Sequence, residues 1–411
     1  MSTLTNTKFT LYQYLLVGIL TLVLFTIVLD FMVVSALSAV LLPKLEITTK
    51  QFGLLVSAYL ISAGISAFLF SGYTDKFDRK KLLLFFYSGF LLGVVICANA
   101  SSYQLLIVAR IITGTFGGLV GSICFAIVAD LFDPNQRGRA MGIIQMASAG
   151  SQILGLPFAL YLATEFDWHL AFWLIAAIGM IAVFLVFLKI NPVNLHLQVS
   201  RMGNPLRHSV KIISNRKYLI VFLNNTLLVT GDIILMTFSS AFCTNNLEVS
   251  LENLPLLYVI AGIATFVFAP IIGRLTDRYG KLNVFVAGTV ISMLVVAVFT
   301  NLGVSPLWTI IIIHTFIFLG INARSISSSA IGTVIPEIED RGAFMAVDAS
   351  IQQAVGGLAA VAAGLIVFQS EDGMIHNFPR LGWIVISIMI CTIGVMYAID
   401  RIVKRRNISS E

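Results

Sequence analysis

The chain has 411 residues, 58% of them hydrophobic and only 11% charged, against roughly 25% charged in a soluble domain. So few charges cannot coat a water-soluble fold, and disordered, collagen-like and small disulfide-stapled chains are excluded with it. At about 20 to 25 residues per apolar helix, a dozen membrane spans account for most of the length and leave only short loops. The formal net charge of +6 is scattered through those loops, with no basic arm and no zinc module, so no nucleic-acid partner is expected. Cys97, Cys124, Cys243 and Cys391 fall in four different apolar segments and read as buried thiols without a disulfide or metal role. No cofactor is expected.

Apolar runs bounded by charge, Pro or Asn clusters predict spans over residues 12–42, 50–71, 81–99, 103–130, 139–163 and 169–189, then 218–243, 254–273, 282–302, 306–334, 342–369 and 381–400. The first run is too long for a cleaved signal peptide and contains Asp30. Helices and closed barrels are the backbones that satisfy their own hydrogen bonds in lipid. Barrel strands alternate in segments of about ten residues, and uninterrupted runs such as Leu170 to Leu188 show no alternation. The expectation is therefore an all-α integral membrane protein of twelve helices.

Lys and Arg set the orientation. Of the 26, Lys44, Lys50 and Arg380 fall on one side and Arg110 and Arg324 inside spans, and the remaining 21 lie on the side that holds both termini. That side is expected to be the cytoplasm. The polar stretch 191–217 separates a first bundle, 1–190, from a second, 218–411. The halves repeat at an offset of 202: Asp30 matches Asp232, Leu45-Glu46-Ile47-Thr48 matches Leu247-Glu248-Val249-Ser250, and Asp75 matches Asp277 with Arg79 against Lys281. At an offset of 204, Arg137-Gly138 matches Arg341-Gly342. Two parallel six-helix halves form a transporter architecture with its site near the midplane.

The loop Ser71-Gly72-Tyr73-Thr74-Asp75-Lys76-Phe77-Asp78-Arg79-Lys80 and its echo Gly273-Arg274-Leu275-Thr276-Asp277-Arg278-Tyr279-Gly280-Lys281 carry a family resemblance. So does Arg110-Ile111-Ile112-Thr113-Gly114 in span four. In these motifs and over essentially its whole length the chain resembles the major facilitator superfamily, in the manner of its twelve-helix drug/proton antiporter branch. The resemblance implies two pseudo-symmetric six-helix bundles, with spans one, four, seven and ten lining a central cavity. Ser71 and Asp78 depart from the glycines of the loop pattern. Span five, around Gly150, Gln152, Gly155, Leu156 and Pro157, keeps a glycine-rich, Pro-bent character but not the antiporter signature.

Asp75, Arg79, Asp130, Asp277 and Lys281 are expected to form a cytoplasmic latch, with Asp75 facing a helix N-terminus of the other half and Arg79 pairing Asp130. Arg110 inside a span requires a partner, and Asp30 is the candidate. In the second half, Asn225, Asp232 and Ser239 recur every seven residues on one stripe. His314, the counterpart of Arg110, is expected to meet Asp232. Asp30, Arg110, Asp232 and His314 are thus the expected proton-coupling residues. Asn224, Asn225, Ser239 and Asn322 are the candidate cavity residues, and Arg324 with Asp348 a gating pair.

The expected activity is secondary active transport of a small-molecule solute by alternating access, with proton-coupled efflux of a lipophilic or amphiphilic compound first. Proton-coupled uptake or facilitated passage of a small polar metabolite stands second. Sodium in place of the proton stays open. No catalytic or metal-ligand set falls within a span and no phosphate-binding Gly-rich loop occurs, so the chain does not read as an enzyme. A monomer in the cell membrane, the inner one if bacterial, is expected.

Overall fold

The computed structural model describes residues 9–70, 76–194, 197, 210–332, 334–337 and 340–408. Among these, twelve helices are long and apolar enough to span a bilayer. They are α1 (Leu11–Ala36), α2 (Thr49–Phe70), α3 (Arg79–Cys97), α4 (Tyr103–Leu131), α5 (Asn135–Glu165), α6 (His169–Lys189), α7 (Arg216–Asn245), α8 (Leu251–Tyr279), α9 (Lys281–Thr300), α10 (Leu307–Gly332), α11 (Arg341–Ile366) and α12 (Phe378–Lys404). The loops rich in Lys and Arg lie at one end, here called the basic face. A two-stranded hairpin, β1 (Phe368–Gln369) and β2 (Ile375–His376), joins α11 to α12 at the other end.

The main packings within α1–α6 recur within α7–α12. α1 packs on α5 and α6 as α7 packs on α11 and α12, α4 on α2 and α3 as α10 on α8 and α9, and α3 on α6 as α9 on α12. The sets meet along α2 with α11 and α5 with α8, pairs that exchange under the same symmetry. The repeated Leu-Glu string has a backbone cause. Glu46 (φ 50°) and Glu248 (φ 56°) both turn the chain in the left-handed region, ending one helix before Thr48 or Ser250 opens the next. Thr48 Oγ1 accepts the Gln51 N–H at 3.3 Å, and Ser250 stands at the N-cap position of the turn at Leu251 without a side-chain bond to it. The substitution of Asp78 for a loop glycine is also local. Gly280 takes φ 92° at the start of α9, whereas Asp78 sits at φ −57° as the N-cap of α3, accepting the Lys81 N–H at 3.0 Å.

The spans depart from uniform helices at three places. α1 stops at Ala36 and a short helix, Ser38–Lys44, follows. α7 is likewise broken at Thr237 and Phe238 before Ser239–Asn245. α5 contains a π turn, Ser151–Gly155, just before Pro157. A proline lacks the N–H that an α-helical ladder needs, and a wider turn absorbs the mismatch. Of the four thiols, Cys97, Cys124 and Cys243 are buried, but Cys391 is exposed; apolar composition alone does not separate a core-facing from a lipid-facing position on α12.

The joint between the sets is built from glycine. A methyl group on Gly53 would sit 2.6 Å from the Ala360 carbonyl, on Gly64 2.8 Å from the Ser350 carbonyl, and on Gly364 2.5 Å from the Thr49 carbonyl. Small residues let helices approach backbone to backbone in lipid. Away from the basic face the joint is tightened by hydrogen bonds: Thr49 Oγ1 to the Val367 carbonyl at 2.8 Å, and Ala241 N–H to Ser38 Oγ at 3.1 Å. Phe52 and Phe238 pack with ring centroids 5.5 Å apart beside them. This end of the molecule is closed.

Candidate functional site in the bundle interior

Arg110 is held by its helix environment before it meets any charge. Gly114 and Gly118, one and two turns further along α4, bring that helix against Tyr59 and Ala63 of α2. Tyr59 thereby lies under the guanidinium, with Arg110 Cζ 4.5 Å from its ring centroid, a favourable cation–π geometry. From α1, Asp30 Oδ2 accepts from Arg110 Nη1 at 2.7 Å. The side chains are 0% and 1% exposed, so neither charge has water to fall back on. Removing either partner strands the other. Asp30 Oδ1 and Arg110 Nε make no hydrogen bond.

In the second set the expected pairing of Asp232 with His314 is not formed. Asp232 is paired with Arg324. His314 is buried in an aromatic box of Tyr258, Phe299 and Phe318, with centroids 5.1, 6.4 and 5.1 Å away. Arg110 and His314 each contact a tyrosine of the neighbouring helix, Tyr59 and Tyr258. An imidazole is too short to cross to α7, and a guanidinium from a lower turn of α10 reaches Asp232 instead.

That exchange also removes the expected gating pair of Arg324 with Asp348. Asp348 Oδ2 accepts from Asn225 Nδ2 at 2.9 Å and from Gln352 Nε2 at 2.8 Å. Ser328, which sequence reasoning passed over, links the cluster onward. Its hydroxyl donates to Asn225 Oδ1 at 3.0 Å and accepts from Asn224 Nδ2 at 2.7 Å. Asn224, Ser328, Asn225, Asp348 and Gln352 form one chain across α7, α10 and α11. Ser239 does not join the stripe of Asn225 and Asp232, because the break in α7 rotates it into the closed end, where its Oγ is buried without a partner. Asn322 donates to the Phe318 carbonyl of its own helix at 2.9 Å.

At the basic face, Arg79 Nε meets Asp130 Oδ2 at 3.2 Å, tying α3 to α4. Its counterpart Lys281 donates to the Ala330 carbonyl of α10 at 2.8 Å. Asp277 is exposed near the end of α8, and Asp75 lies outside the described residues.

A sequence profile of the Major Facilitator Superfamily matches residues 19–361 and 221–409. The MFS-type transporter YceJ of Bacillus subtilis is 24% identical over 268 residues, 65% of this chain and 68% of that one. A probable sugar efflux transporter of Helicobacter pylori (strain P12) is 24% identical over 253 residues, 61% and 63% of the two chains. Among solved structures, the D323A mutant of the nucleoside transporter NupG superposes with a TM-score of 0.75 at 16% identity, covering 94% of this chain and 99% of that one.

Proposed function

The chain belongs to the Major Facilitator Superfamily of membrane transporters, and on that premise we propose that it exports an amphiphilic solute in exchange for protons. The bundles 1–190 and 218–411, joined by 191–217, would rock about the α2–α11 and α5–α8 contacts. With the basic face in the cytoplasm, as the distribution of Lys and Arg favours, closure at the other end corresponds to a cavity open inward.

The observation that carries proton coupling is the buried pair of Asp30 and Arg110. Protonating Asp30 would neutralise one charge and release Arg110, so the two protonation states favour different packings of α1 against α4. Asp232 with Arg324 supplies the same chemistry in the second bundle. An amphiphilic cargo is favoured because the donors of the interior amides and hydroxyl are engaged within the protein, those of Asn224, Ser328, Asn225 and Gln352 in one chain and that of Asn322 with its own helix, which leaves acceptors such as Asn224 Oδ1 and Asp348 Oδ1 over. A hydroxyl-rich ligand needs free donors and acceptors in the wall of its site. The export direction accords with the efflux function named for the Helicobacter pylori relative. Its name also supports a second reading, in which the solute is a sugar or another small polar metabolite.

Proteoliposomes carrying an imposed pH gradient test the reading. Ethidium, as an amphiphilic probe, and radiolabelled sugars are offered to the parent protein and to Asp30→Asn. Gradient-driven movement of ethidium by the parent, lost in the variant, is expected. Gradient-driven transport by Asp30→Asn equal to that of the parent excludes Asp30 as a coupling site, and movement of sugars alone selects the second reading.

A further inference from the structure

Apart from the exposed Glu165, Glu252 and Asp277 near span ends, the carboxylates of the described spans divide by partner. Asp30 has Arg110, Asp130 has Arg79, Asp232 has Arg324 and Asp400 has Lys404. Among the described residues Asp348 has no cation. Its Oδ2 is held by two neutral amides, and its Oδ1 is buried with no hydrogen bond.

The elements around it supply no charge. α11 packs against α2, α7 and α12. On α2 the charged residue is Lys50, near the closed end, and Tyr59 is engaged with Arg110. On α7, Asp232 is paired with Arg324 of α10, Tyr218 donates to Asp340 at 2.8 Å, and Arg216 and Lys217 stand in the first turn. On α12, Arg380 lies at the closed end, Lys404 pairs Asp400, and Cys391, Tyr397 and Arg401 make no ion pair with Asp348. Its own helix offers Arg341, exposed, seven residues earlier.

An ionised carboxyl inside a membrane protein is expensive unless a cation or a full set of donors faces it. Asp348 has donors for one oxygen only. The four paired acids can take up a proton only by giving up a cation, whereas Asp348 can do so while every ion pair stays intact. It is also chained through Asn225 and Ser328 to Asn224, so a change in its charge alters the hydrogen bonds that hold α7, α10 and α11 together. Bonds to a charged acceptor are roughly twice as strong as neutral ones.

We propose that Asp348 is a proton-carrying carboxyl of the transport cycle, binding H⁺ at Oδ1 while the Asn225 and Gln352 amides hold Oδ2. The carboxylate takes the proton from water reaching it from the basic face and returns it to water after the bundles have rocked. No other bond is made or broken. The proposal rests on the proton-coupled reading above and adds a site to it.

The test is pH-difference infrared spectroscopy of the full chain in lipid vesicles, which needs no cargo. Among the carbonyl bands that Asp30, Asp232 and the exposed acids give as they protonate on acidification, the parent should show one band that belongs to Asp348. The band should vanish in Asp348→Asn, remain in Asp30→Asn and Asp232→Asn, move in frequency in Asp348→Glu, and titrate with a displaced midpoint in Asn225→Ala. Should Asp348→Asn fail to fold, the frequency shift in Asp348→Glu decides. Spectra in which no band is lost in Asp348→Asn, or none is moved in Asp348→Glu, overturn the assignment. So does a band removed by sodium ions at constant pH, which would place a metal cation at the same oxygen. A parent protein that shows the band but moves ethidium with no response to a pH gradient would instead overturn the coupled-export reading and leave the carboxyl assigned.

Discussion

Glu46 and Glu248, 202 residues apart, occupy the same left-handed turn with φ of 50° and 56°. Each ends the short helix that caps its bundle at the closed end. A duplicated backbone device is a stricter sign of internal symmetry than matching side chains, because a β-branched residue does not adopt it without strain. Glu46→Val and Glu248→Val should each destabilise the protein, because a β-branched residue is disfavoured there beyond the cost Glu already bears, and Glu→Asn at either site should be neutral or slightly stabilising. Thermal unfolding in detergent reads the difference.

The Asp30–Arg110 pair makes a prediction about stability separate from coupling. Arg110→Met leaves Asp30 buried without a counter-charge and should cost about 3–5 kcal/mol. Asp30→Asn combined with Arg110→Gln should recover much of that loss while transport stays uncoupled. A double variant no more stable than Arg110→Met would mean that the arginine matters for packing on Tyr59 and not for charge.

His314, shut in its aromatic box and apart from Asp232, should not report on pH. His314→Gln is expected to transport with the pH profile of the parent, and a displaced profile would return the histidine to the coupling machinery. His314→Arg should express poorly, since the box has no acid to receive the charge.

The glycine joint is tested by methyl groups. Gly64→Ala places a Cβ 2.8 Å from backbone of α11 and should cost about 1–3 kcal/mol by overpacking. Gly121→Ala on α4, where the nearest atom is Leu24 Cδ2 at 3.8 Å, should be silent in the same unfolding assay.

Asp167, in the turn between α5 and α6, gives a pH dependence with a definite sign. Burial pushes its carboxyl up, but the His169 backbone N–H, donated at 2.9 Å, and the His169 ring outweigh this and hold it below the usual carboxylate range. A carboxyl more acidic in the folded state contributes stability that is complete above about pH 4 and is lost as pH falls through the folded value. Half of the side chain is exposed, which limits the effect to under about 1 kcal/mol. Asp167→Asn should therefore unfold slightly earlier than the parent at neutral pH, with the gap closing in acid.

The sequence carried the twelve spans, the repeat and the charged residues of the interior, because each is a conspicuous exception to an apolar background. It did not carry the pairing in the second bundle. Depth along a helix placed Arg324 level with Asp348, but partner choice depends on how α7 and α10 are set against each other. Once Ser328 meets Asn225, Arg324, one turn earlier on α10, falls beside Asp232. Tyr59 and Ser328 were unreadable for a different reason, since a tyrosine or serine in an apolar helix is common and signals nothing until its neighbours are known. The breaks in α1 and α7 were hidden inside unbroken apolar runs, and with them the true position of Ser239.

The contact of α2 with α11 brings peptide groups against peptide groups at Gly53, Gly64 and Gly364. Such a surface has little to ratchet. One helix can roll on the other without a rotamer having to flip, so the joint offers low friction to a swing between the bundles. Resistance is concentrated where side chains and hydrogen bonds bridge the sets, at Thr49 with Val367, Ser38 with Ala241 and Phe52 with Phe238. On the proposed rocking motion the molecule would be a hinge with a clasp at one end, and the speed at which it changes face would be a property of the clasp.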